Sequence, residues 1–155
     1  MSISENKKLV RRYFEEAPSH PEICDEIFST SFLFHTIQQA SITPQTIESN
    51  PQKEKEAYKW LENVWSPDWR MTVDEMIAED DRVMVRWTFY GIQQGEYSEL
   101  SPTNKPVNYS GINIFRIVDE KIAEIWDIYD RLWLWQQLGV LPEIKDAISK
   151  IKARD

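Results

Sequence analysis

Residues 108–130 constrain this chain more than any other stretch. NYSGINIFRIV and KIAEIWDIY are two runs rich in Ile, Tyr, Phe and Val, separated by Asp119-Glu120. Such residues favour strands, and a short polar gap between two such runs marks a tight turn. The segment therefore reads as a two-stranded ribbon. Strand side chains alternate between faces. Tyr109, Gly111, Asn113, Phe115 and Ile117 share one face of the first strand, opposed by Ser110, Ile112, Ile114, Arg116 and Val118. Ala123, Ile125, Asp127 and Tyr129 share one face of the second, opposed by Ile122, Glu124, Trp126, Ile128 and Asp130. With the turn centred on Asp119-Glu120, Ile117 falls near Ile122 and Asn113 near Trp126. Asn113 and Asp127 are then close neighbours, unless a bulge shifts the register.

The remainder reads as helices before strands. Ser4 looks like an N-cap for a helix to about Glu16, with Leu9, Val10, Tyr13 and Phe14 on one stripe. A short second helix follows from Pro21 to Phe28. Phe32-Leu33-Phe34-His35 is a brief apolar strand or turn, and residues 36–50 read as a loop. Pro51 to Val64 is a third helix, carrying Ala57, Tyr58, Trp60, Leu61 and Val64 as its apolar members. Trp69–Glu79, Arg82–Gln93, Val107–Val118 and Lys121–Tyr129 are strands joined largely by tight turns. Arg131–Leu138 is helical and closed by Gly139, and a charged helix runs from Pro142 to about Ala153. This order predicts one α+β domain over residues 1–155. Its N-terminal helices pack on a curved, mainly antiparallel sheet, leaving a cone-shaped pocket between the layers.

Charge and composition exclude several function classes. Net charge is −8, which argues against a nucleic-acid partner and against an anionic membrane surface. No apolar run is long enough to span a bilayer, and the N-terminus has no signal-peptide core, so a cytoplasmic protein is expected. The single cysteine, Cys24, rules out an internal disulfide. No cluster of His, Cys, Asp or Glu has metal spacing, and no phosphate-binding loop or nucleophile elbow appears. Seven Trp, six Tyr and six Phe are many for this length, and suit an aromatic core or an apolar pocket.

Both faces of the ribbon are partly apolar, whereas a small sheet usually wets one. Helices covering one face and a second subunit covering the other would explain this. The expectation is a homodimer built on Ile112, Ile114, Trp126 and Ile128. Cover by the C-terminal helices is the alternative.

Asp127 stands out within the ribbon. A carboxylate beside apolar walls has a raised pKa, which suits a general acid or base near neutrality. The plain reading is a buried Asp bonded to a loop. Asn113 is suited to donate to a developing oxyanion, or to satisfy a nearby backbone group. His35 is a candidate second acid or base at the pocket rim, or a histidine at a strand end. Tyr13 is a candidate hydrogen-bond donor or a core tyrosine. Phe34, Tyr58, Trp65, Trp87 and Phe115 are candidate walls for an apolar ligand.

The stretch from Asn108 to Leu138 resembles the SnoaL-like polyketide cyclase family of the nuclear-transport-factor-2-like superfamily. FRIVDEKIAEIWD, Asp130 and QQLGVLP carry the likeness, with IAEDDRVMVRWTFYG and SPTNKPV upstream. It covers nearly the whole chain and is weakest before Trp69. The resemblance implies the cone-shaped α+β fold and a deep apolar pocket. It also implies intramolecular aldol ring closure of an enolisable, polyketide-like substrate without metal or cofactor. The family's acid/base Asp falls on Asp127. A His of its polyketide cyclases falls on Asn113, which cannot titrate. An isomerase, a related hydrolase and a non-catalytic small-molecule binder on the same fold are the competing readings.

Overall fold

The computed structural model describes residues 2–36 and 45–153. Helix α1 spans Ile3–Glu15, and α2 spans Cys24–Ile27 after a 3-10 turn at Pro21–Ile23. Strands β1 (Phe28–Thr36) and β2 (Gln45–Ser49) precede α3 (Pro51–Val64). Then come β3 (Arg70–Glu79), β4 (Arg82–Ile92), β5 (Pro106–Val118) and β6 (Lys121–Tyr129). The chain closes with α4 (Arg131–Leu138) and α5 (Ile144–Lys152).

The six strands form one curved, open sheet in the order β2-β1-β6-β5-β4-β3. All neighbours are antiparallel except β1 and β6, which run parallel. The α+β class is as expected, with the helices before the meander. Two expectations change upstream of it. Phe32–His35 is strand, but within a nine-residue β1 rather than a brief element, and residues 45–49 form β2 rather than loop. The apolar core of β1 pairs with β6 on one side, and β2 covers its other side. Residues 37–44 of the expected loop lie outside the described residues.

Local rules explain the ends of the elements. Ser2, not Ser4, caps α1, because only Ser2 has a Glu three residues on. The Ser2 hydroxyl accepts from Glu5 N at 3.3 Å, and the Glu5 carboxylate accepts from Ser2 N at 2.7 Å. Asp130 caps α4 by accepting from Trp133 N at 2.9 Å, and Gly139 ends that helix with φ +84°. Asp119 and Glu120, both at positive φ (48° and 61°), make the turn between β5 and β6.

A bulge near that turn alters the expected register. Arg116 pairs with Glu124 but Ile117 with Ile122, which leaves Ala123 as the extra residue on β6. Asn113 therefore pairs with Asp127 itself, not with Trp126. The bulge also reverses alternation at its own site: Ile122 turns inward and is fully buried, like Ile125.

Helix α1 packs on β3 and β4, α3 on β1 and α2, and α4 on β5. The core between these layers is built from Val10 and Phe14, Phe28 and Phe32, Val83, Val85 and Phe89, and Phe115, Ile117 and Ile125. Cys24 is buried among them in α2, where burial pushes its thiol up to about 12. The outer face of the sheet is left open: Ile112, Ile114 and Ile128 are 41%, 37% and 50% exposed. Neither α4 nor α5 covers them. No described helix is long and apolar enough to cross a membrane.

Candidate active site

The cavity opens between the helices and the inner face of the sheet, with a volume of about 270 Å³. Alternation on β5 and β6 delivers Asn113 and Asp127 to it side by side. Trp87 arrives from β4, Phe34 from β1, Tyr13 from α1, and Glu54 and Tyr58 from α3. Tyr97, Tyr109 and Tyr129 complete an aromatic rim.

Asn113 is the joint of the site. It is buried, and its Nδ2 donates to Asp127 Oδ1 at 3.0 Å. Its Oδ1 accepts a hydrogen bond from the indole Nε1 of Trp87. An indole N–H can only donate, so the amide oxygen must face Trp87 and the NH₂ must face Asp127. Gly111 makes room for this arrangement. A Cβ there would lie 2.3 Å from Cζ2 of Trp87, so the indole lies flat across β5 only because position 111 has no side chain.

The acids of the cavity are both shifted towards neutrality. Burial pushes Asp127 up to about 6, against the opposing effect of the Asn113 hydrogen bond. Burial likewise pushes Glu54 up to about 7, with Ser49 lowering it and the charge of Asp127 raising it. The Tyr13 hydroxyl is raised well above its ordinary value by burial and by the charges of Glu54 and Asp127. Tyr58 donates to the backbone carbonyl of Tyr13 at 2.8 Å, which ties α3 to α1. The buried Nε1 of Trp65, another wall residue, has no hydrogen-bond partner among the described residues.

Seven of the nine candidates meet here: Asp127, Asn113, Tyr13, Phe34, Tyr58, Trp65 and Trp87. Two do not. His35 pairs with Trp126 on β6, and so shares the outer face of the sheet. Its ring stacks on Trp126 at 4.8 Å, its Nε2 meets Glu124 at 2.6 Å and its Nδ1 meets Thr46 at 2.9 Å. Burial raises the Glu124 carboxyl, but hydrogen bonds from Arg116 and His35 outweigh it and hold the group below its ordinary value. Phe115 is the second. It points inward as expected, but it is fully buried beneath the rings of Tyr13 and Phe14, so it is core rather than wall.

Sequence reading missed Glu54. The signal was present: Glu54 lies four residues before Tyr58 and seven before Leu61, on the inward stripe of α3. Among the described residues, no group of three His, Cys, Asp or Glu side chains is placed to hold a metal ion. The site therefore brings two buried carboxyl groups and a side-chain amide together within aromatic walls.

Comparison with known proteins agrees with this architecture. The family described as SnoaL-like polyketide cyclase matches residues 8–138. No curated protein matches the chain. Among solved structures, AclR of Streptomyces galilaeus, proposed to be a hydroxylase, superposes with a TM-score of 0.76 at 23% identity, covering 99% of this chain and 92% of that one. TsrD of Streptomyces laurentii gives 0.76 at 22% identity, covering 91% and 99%. IdmH of Streptomyces antibioticus, proposed to be a polyketide cyclase, gives 0.72 at 22%, covering 87% and 99%. These likenesses show the fold. With the family match running from α1 through α4, the chain belongs to the SnoaL-like polyketide cyclase family.

Proposed function

We propose that this protein is a cyclase or isomerase that enolises a small apolar ketone, with Asp127 as its general base and no metal or cofactor in the step. One observation carries the reading. A carboxylate raised to about 6 stands in an aromatic cavity, oriented by an amide that is itself oriented by Trp87. Such a group is largely ionised at neutral pH yet basic enough to take an α-proton. Asn113 spends one N–H on Asp127, so its first role is to position the base. Its second N–H is the donor for a substrate oxygen. The volume of about 270 Å³ is at the small end of ligand pockets, and fits one or two fused rings.

The test is deuterium exchange of the benzylic C1 protons of 2-tetralone in D₂O, followed by proton NMR. The wild type should accelerate exchange, and Asp127→Asn should lower the rate by about 10²–10⁴-fold. Unchanged exchange in Asp127→Asn, with 2-tetralone still bound, would leave a binding protein instead.

A second copy of the chain is our proposed partner for the outer face. Ile112, Ile114 and Ile128 form its exposed apolar centre. Arg86 of β4 with Asp74 of β3, and Arg116 of β5 with Glu124 of β6, supply charged pairs beside it. Sedimentation of the wild type should give a dimer, and Ile128→Glu a monomer. A monomeric wild type would refute it.

A further inference from the structure

Glu54 is the buried acid that the reading above does not use. The first turn of a helix usually presents its acids to solvent and to the helix dipole. Glu54 instead faces inward at 8% exposure, and its hydrogen-bond partner, Ser49 Oγ, stands at a long 3.4 Å. A buried carboxylate with one weak partner is costly unless it carries a proton or meets a ligand. Glu54 lines the same cavity as Asp127, one acid on α3 and the other on β6. The groups around it are Ser49 of β2, Tyr13 of α1, Cys24 of α2, Tyr58 of α3 and Asp127. Of these only Asp127 is an acid of comparable strength. The neighbouring Lys55 is held by Asp25 at 3.0 Å.

We propose that Glu54 is the second proton-transfer group of this cavity, a general acid on the helix wall that serves the ketone oxygen while Asp127 serves the α-carbon. The inference rests on the enolisation reading of Asp127. It supplies the titrating partner that Asn113 cannot be.

The step balances within the site. Asp127 takes the α-proton, the C–H pair forms the C=C bond, and the carbonyl oxygen takes the proton of Glu54. The product is an enol, with Asp127 protonated and Glu54 ionised. In ring closure the enol O–H returns its proton to Glu54 as the α-carbon bonds to a second carbonyl carbon. The oxygen of that carbonyl takes the proton of Asp127, and both acids are restored. The implied substrate carries two carbonyls, one oriented to each wall.

The experiment follows 2-tetralone exchange from pH 5 to 9 in wild type, Glu54→Gln and Glu54→Asp, with Asp127→Asn as reference. Glu54→Gln should lower the maximum rate about 10–100-fold and abolish the alkaline limb of the profile, while Glu54→Asp keeps that limb. If Asp127→Asn is inactive but Glu54→Gln keeps the wild-type rate and limb, this proposal falls and the Asp127 reading stands. If Asp127→Asn keeps the wild-type rate, both fall. Carbon-13 NMR of the wild-type carboxyl carbons removes any dependence on how the variants fold. Glu54 should titrate near 7 and respond to Asp127. Titration in the ordinary glutamate range would also overturn the proposal.

Discussion

The side-chain amide of Asn113 holds the carboxylate of Asp127 from the adjacent strand, with Nδ2 3.0 Å from Oδ1. The same amide is held in turn by the indole of Trp87. This three-residue row across β4, β5 and β6 opposes the rise that burial imposes on Asp127. Replacing Asn113 with the nearly isosteric Leu removes a donor that stabilises the ionised form of Asp127. The pKa of Asp127 then rises from about 6, and the acid limb of any Asp127-dependent rate moves to higher pH. The orphaned Trp87 N–H should also cost about 1–3 kcal/mol of stability, measurable by urea unfolding.

Gly111→Ala tests the same row from its supporting side. The new Cβ would meet Trp87 at 2.3 Å, and the clash is with a rigid buried ring rather than a flexible chain end. A loss of about 1–3 kcal/mol is expected from overpacking. A displaced Trp87 should release Asn113, so the acid limb should move as it does in Asn113→Leu. Wild-type stability in Gly111→Ala would show that the indole has room to shift.

The two cavity acids make stability depend on pH with a definite sign. Both have folded-state pKa values raised above their ordinary values, Asp127 to about 6 and Glu54 to about 7. The folded protein therefore holds protons that the unfolded chain has released. Their stabilising contribution is complete below about pH 4, and is lost as pH rises through about 6 and 7. Each shift corresponds to a contribution on the order of 3 kcal/mol. Asp127→Asn and Glu54→Gln should thus unfold at higher temperature than wild type at pH 8, with the difference shrinking towards pH 4. Scanning calorimetry across that range measures it. Equal differences at both ends would show that neither acid is shifted.

The turn between β5 and β6 offers a stabilising substitution remote from the cavity. Glu120 sits at φ +61°, where a side chain is strained and glycine is not. Glu120→Gly should raise stability by about 0.5–1 kcal/mol without altering exchange kinetics, as read from the thermal midpoint. A lower midpoint would mean that chain entropy outweighs the strain.

Much of the frame follows from local rules. The β5–β6 hairpin, the alternation that turns Tyr109, Asn113 and Phe115 inward, and the Asp130 and Gly139 caps depend on residues within a few positions of one another. Backbone geometry carries them whatever else the chain does. Asp127 was likewise readable as an inward carboxylate from the pattern on its own strand.

Tertiary packing decided the rest. The bulge at Ala123 set Asn113 against Asp127 and sent Ile122 inward, because strand pairing and core burial outweigh strict alternation. The parallel pairing of β1 with β6 carried His35 to the outer face, and no local signal encodes a partner so distant in sequence. Phe115 became core because α1 lays two aromatic rings over it, and Glu54 entered the cavity because α3 turns that stripe towards the sheet. The sequence by itself determined the ribbon and which way most of its side chains point. Only the folded chain decided which residues meet Asp127 across the cavity, because that depends on how helices and sheet close over one another rather than on spacing along either.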